Sequence, residues 1–78
     1  MKILELTDAR TGTQKEYVNV DDISRIEPRM KSKSLFGSSY ELSGSYVYMK
    51  SGPTAPTSVK QIPEQITKMI KNKEYLEV

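Results

Sequence analysis

Val18-Asn19-Val20-Asp21-Asp22-Ile23-Ser24-Arg25-Ile26-Glu27-Pro28 reads as a strand, a tight acidic turn and a second strand. Asp21 and Asp22 suit the turn because a short carboxylate can accept hydrogen bonds from nearby backbone N–H groups, so the turn is expected to cap its own backbone. The second strand is expected over Ser24–Glu27 and to end at Pro28, which has no N–H to give a ladder. Two strands joined this closely set the register of a small β-rich core.

Outward from this segment, the same alternation continues. Leu4 and Leu6 share one face of an N-terminal strand over 3–7, and Ile3, Glu5 and Thr7 share the other. Asp8–Thr13 is a polar hairpin connection in which Gly12 is available for a positive φ. The strand over 14–19 places Glu16 and Val18 on one face and Tyr17 and Asn19 on the other. Tyr46-Val47-Tyr48-Met49-Lys50 is rich in aromatic and β-branched residues and predicts a further strand. Ser51–Pro56 is a loop, and Thr57–Lys60 returns as a strand.

The period then changes. Ile62, Ile66, Met69 and Ile70 fall at i, i+4, i+7 and i+8, one face of a helix. Pro63 suits the first helical position, where a missing N–H costs nothing, with Glu64 near the positive end of the dipole and Lys71 and Lys73 near the negative end. The tail Glu74–Val78 either frays or adds an edge strand. The expected fold is α+β: an antiparallel sheet or partly open barrel of about five strands with one C-terminal helix packed on it.

Residues 29–45 differ in composition, with six serines and two glycines. They predict a mobile loop or a protruding hairpin turned at Gly37-Ser38-Ser39. Flanking Leu35, Phe36, Tyr40 and Leu42 favour the hairpin, since a plain linker has no use for them.

Seventy-eight residues make one domain, and the chain contains no cysteine. A chain this short buries only about 60–65% of its unfolded surface. With no disulfide or thiolate–zinc staple available, oligomerisation is the usual remaining remedy for a small core. The apolar run at the N-terminus is broken by Glu5, so neither a signal peptide nor a membrane span is expected there, and a cytoplasmic location follows as the expectation.

Several segments together resemble the FlbD family of short bacterial and phage proteins. They are Ile3-Leu4-Glu5-Leu6-Thr7, Val18-Asn19-Val20-Asp21-Asp22-Ile23, Ile26-Glu27-Pro28, the Tyr46–Lys50 strand, and Ser58-Val59-Lys60 leading into a helix with Glu64 and Ile66. The resemblance implies a bacterial or phage-infected cell as the setting and no enzymatic site. This chain departs from the family's pattern by inserting about fifteen residues after Ile26-Glu27, and by placing Ile62 where the helix normally opens on serine. A second similarity, to LytTR-type DNA-binding domains, rests on Val18 through Glu27 followed by Tyr46-Val47. Those domains run longer.

The residues offer little chemistry. The chain has no histidine, so the commonest general base is absent, and the serines have no partner base. Thr11-Gly12-Thr13 and Ser43-Gly44-Ser45 lack the glycine spacing and lysine of a phosphate loop. Neither catalytic residue, cofactor nor metal site is expected, and Glu27 is expected to pair with Arg25 or Arg29. A protein-binding or scaffolding role is the better reading. Edge strands invite β-augmentation, and Leu35, Phe36, Tyr40 and Leu42 are candidate anchors for a protein partner or a second copy. The alternative is a nucleic-acid-binding regulator. Twelve basic against ten acidic side chains leave a net charge of +2, a weak footprint for that role. Its candidates are Arg25, Arg29, Lys31 and Lys33 with the rings of Tyr46 and Tyr48, Arg29, Lys31 and Lys33 alternating so as to share one face of an extended segment.

Overall fold

A computed structural model of the protein describes residues 1–33, 37, 39–52 and 54–78. The chain runs β1 (Lys2–Thr7), β2 (Lys15–Asn19), a 3-10 turn (Val20–Asp22), β3 (Ile23–Ser32), β4 (Tyr40–Met49), β5 (Thr57–Val59), α1 (Pro63–Lys71) and β6 (Leu76–Glu77). The fold is α+β: six strands in two open antiparallel sheets, ordered β2-β1-β6 and β3-β4-β5, with one C-terminal helix. The strand beyond the expected five is the tail, where Leu76 pairs with Ile3 and Glu77 with Lys2.

The sheets meet at one corner. Asp8 bridges Val59, the Lys60 amide donates to the Thr7 carbonyl at 2.8 Å, and the Ala9 amide donates to Ser58 at 3.0 Å. Between them lies a core of Leu4, Leu6, Val18, Val47, Val59 and Ile66. Alternation accounts for it: Leu4 stands opposite Val18 in one sheet, Ser45 opposite Val59 in the other, and the helix face contributes Ile66. Each such aliphatic side chain contributes roughly 1.5–3 kcal/mol by leaving water. Met69 and Ile70 pack around the edge of the cluster.

A polar latch closes the same corner. The Gln61 side chain accepts from the Thr7 amide at 3.0 Å and donates to the Thr7 hydroxyl at 3.2 Å. Fully buried Ser45 donates to the Gln61 carbonyl at 2.6 Å. One glutamine thereby ties β1, β4 and the start of α1 together, and leaves none of these buried groups unpaired.

Two local expectations are corrected. Pro28 does not end its strand: β3 runs through it to Ser32, with Pro28 opposite Ser45. Because β3 lies at the edge of its sheet, a missing N–H on its open side interrupts no ladder. The acidic turn also does not cap itself. The cap is Asn19, whose side chain accepts from the Asp21 amide at 3.2 Å, while Asp22 accepts from the Ser51 hydroxyl at 2.6 Å and Asp21 lies 4.0 Å from Lys2. Gly12 does take a positive φ, at 76°.

Residues 29–32 of β3 and 40–43 of β4 form the outer part of the β3–β4 hairpin, an arm that leaves the body of the protein. The molecule measures 47 × 26 × 21 Å. Its radius of gyration of 13.3 Å exceeds the roughly 11.5 Å of a compact chain this long. Where the arm departs, the register shifts: Arg29 pairs with Gly44 and Met30 with Leu42, leaving Ser43 as an extra residue. Such a bulge bends and twists the ribbon. The Ser43 hydroxyl donates to the Arg29 carbonyl at 3.0 Å and accepts from the Arg29 guanidinium at 3.3 Å, which pins it.

Candidate interaction surface

The arm has two unlike faces, set by the pairing register. Ile26 stands opposite Val47, so the row Ile26, Pro28, Met30 on β3 starts in the core and runs out of it. Past the bulge, Met30 stands opposite Leu42 and Ser32 opposite Tyr40, so Met30, Leu42 and Tyr40 share one face. Met30 is 51% exposed, Tyr40 61% and Leu42 42%. The result is an apolar strip without a charged residue, held clear of the body. Lys33 continues past β3, and its amide donates to the Ser39 carbonyl at 2.9 Å.

The opposite face carries the charges. Arg25, Glu27, Arg29 and Lys31 alternate along β3, with Tyr48 opposite Arg25 and Tyr46 opposite Glu27. The Arg25 guanidinium donates to Glu27 at 2.6 Å and stacks 3.9 Å from the centre of the Tyr48 ring. The hydrogen bond to Glu27 raises the Arg25 pKa above its usual value; the slight burial of the group opposes this, and the charges of Glu27 and Tyr48 add to the rise. Lys31 lies 3.4 Å from Glu41.

Sequence-derived candidates therefore separate. Tyr40 and Leu42 come together on the strip, while Leu35 and Phe36 lie outside the described residues. Arg25, Arg29, Lys31, Tyr46 and Tyr48 do share a face, and Lys33 falls just beyond the strand end. Three of these cations already hold partners in the chain, and the Tyr48 ring is covered by Arg25. The pairing of Glu27 falls to Arg25, one of its two expected partners. Met30 is the strip residue that sequence reasoning missed. It lies between two cations, and the available signal was its spacing of four from Ile26, which keeps it in the core-facing row.

The body offers two hollows. One, of about 470 Å³, is polar and includes Lys15, Lys60, Thr13 and Gln65. Its Lys15 lies 3.5 Å from Glu5, and its Gln61 is engaged in the latch with Thr7. The other, of about 320 Å³, lies on the outer face of the β2-β1-β6 sheet and is lined by Ile3, Glu5, Lys73, Glu74, Tyr75 and Leu76, with the Lys2 ammonium 5.7 Å from the centre of the Tyr75 ring. Among the described residues no group of three or more His, Cys, Asp or Glu side chains is placed to hold a metal ion. Among them, too, no helix is long and apolar enough to cross a membrane.

No family model, curated protein or solved structure matches this chain.

Proposed function

We propose that this protein is a non-enzymatic protein-binding or scaffolding domain whose binding element is the β3–β4 arm. The observation that carries this reading is the uncharged strip of Met30, Tyr40 and Leu42, exposed on a hairpin that the core does not require. Large apolar side chains gathered on a polar ribbon suit anchors that a partner desolvates, with the charged surroundings as the rim. Their separation from the body makes the arm accessible from several sides. The FlbD-like segments fall on the body and on the inner ends of the arm strands, so the arm is where this chain differs from that pattern. A bacterial or phage accessory protein, acting in the cytoplasm, is the setting we favour.

A nucleic-acid-binding role through the opposite face is the second reading, favoured by the stacked Arg25–Tyr48 pair and the adjacent Arg29 and Lys31. Glu27 and Glu41 on that same face reduce the charge available to phosphates.

Affinity capture from bacterial lysate separates the two. The tagged wild-type chain and the double variant Tyr40→Ala/Leu42→Ala are each used with and without nuclease. The first reading expects a protein that survives nuclease and is lost with the double variant. Recovery that vanishes with nuclease, and that depends on Arg29 and Lys31 instead of the strip, overturns it in favour of nucleic acid.

A further inference from the structure

We propose that Met30 is a reversible oxidation site, at which a hydroperoxide converts the thioether to a sulfoxide and takes the apolar character from the arm's strip. The inference rests on the arm-binding reading and adds a regulation to that same surface.

Composition narrows the chemistry first. The chain contains no cysteine, no histidine and no tryptophan, so its four methionine thioethers are the side chains a hydroperoxide attacks most readily. Reaction then follows access to the sulfur, and the four differ in access. Met49 and Met69 pack against the core cluster, which covers them in part. Met1 is 67% and Met30 51% exposed. Met1 lies beside Val78 at the edge of the other sheet. Met30 alone of the four stands on the strip, opposite Leu42.

The step is the transfer of one oxygen atom. The Met30 sulfur attacks the terminal oxygen of the hydroperoxide with a lone pair, and the O–O bond breaks. The proton on the transferred oxygen passes to the departing oxygen, which leaves as an alcohol, or as water from hydrogen peroxide. Sulfur loses two electrons and the peroxide gains them. A thiol-driven sulfoxide reductase reverses the change.

Position decides what the product does. Met30, Tyr40 and Leu42 form an uncharged strip, and of the three only the thioether answers a mild oxidant. A sulfoxide is a polar acceptor, and covering it without a donor carries a desolvation cost that the thioether does not. The fold does not depend on the position. Every member of the buried cluster lies in the body, and the bend of the arm is held by Ser43 and Arg29. Met30 sulfoxide therefore alters the strip and spares the core, whereas the same reaction at Met49 or Met69 sets a polar group against the core and loosens its packing.

The test treats the purified protein with a graded series of hydrogen peroxide and maps the sulfoxides by peptide mass spectrometry. Expected is oxidation of Met30 at least about fivefold faster than that of Met49 and Met69. The product should keep the urea midpoint of the untreated protein and elute earlier from a phenyl column. Sulfoxide reductases of both stereospecificities should restore the retention, and Met30→Leu, which keeps the strip apolar, should lose most of the shift. Met30 reacting no faster than Met49 and Met69 overturns the inference. So does a retention shift that Met30→Leu leaves intact, or a Met30 sulfoxide that unfolds the chain. Capture from dialysed lysate then tests the regulation. Oxidised wild type should recover at least about fivefold less of the strip-dependent protein, and peroxide should not affect capture by Met30→Leu. Undiminished capture by the oxidised protein overturns the regulation and leaves the arm-binding reading standing. If neither state captures a strip-dependent protein, the arm-binding reading falls, while the mapping and the column still decide the oxidation site.

Discussion

At the scale of single residues, Gly44 is the least replaceable position. Its φ is +151°, and a Cβ built there would lie 2.1 Å from the Val59 carbonyl oxygen. Both the backbone conformation and the approach of β5 demand glycine. Gly44→Ala should therefore destabilise the protein by about 3 kcal/mol or more, read as a fall in the urea midpoint. Lys73 presents the opposite case. It follows the end of α1 with φ 56°, while its amide donates to Ile70 and the next amide to Met69. That is a left-handed helix ending normally given to glycine. Lys73→Gly should raise stability by roughly 0.5–1 kcal/mol, seen as a higher melting temperature. The Ser45–Gln61–Thr7 latch is partly buried, so Gln61→Ala, which strands the Thr7 amide, should cost about 1 kcal/mol in the same assay.

Among the elements, the β3–β4 hairpin divides sharply into an inner half that builds the core and an outer half that does not. Every core residue, from Leu4 to Ile66, belongs to the body. Replacing residues 31–41 by an Asn-Gly turn between Met30 and Leu42 should thus leave a cooperative unfolding transition, with stability changed by no more than about 1 kcal/mol. Ile66→Ala, in contrast, empties a fully buried site and should cost about 2–5 kcal/mol. Both are checked by thermal or urea unfolding followed by circular dichroism. If deleting the outer arm abolished the fold, the strip would be structural and not a binding element. The helix is less well started than it is ended. Ile62 at its N-cap has no side-chain acceptor, and the only reciprocal bond there runs from the Ile62 amide to Gln65 at 2.9 Å.

For the molecule as a whole, the six buried aliphatic side chains among the described residues form a small core for a chain with no disulfide. Such a chain keeps its stability in the body, and the arm adds little to it. Hydrogen exchange should show this directly. Arm amides beyond the bulge should exchange fast, while amides of β1 and β4 beside the core stay protected.

The alternation of Leu4 and Leu6, the Tyr46–Lys50 run and the helical spacing of Ile62, Ile66, Met69 and Ile70 determined an α+β fold from the sequence alone. Those patterns are local, since one apolar face per element suffices to state which side must be buried. The sequence left Tyr40 and Leu42 in either a loop or a hairpin, and the pairing of Ser32 with Tyr40 and of Met30 with Leu42 decided for the hairpin. What it did not determine was the fate of Pro28, the sixth strand, or the membership of Met30 in the strip. Whether proline ends a strand depends on whether its open side has a neighbour, and only the sheet order places β3 at an edge. Whether Met30 is core or surface depends on where the body stops beneath the row begun by Ile26. Gln61 tying β1 and β4 to the start of α1 joins residues far apart in the chain. No local period encodes such a pairing, so the tertiary structure alone decided it.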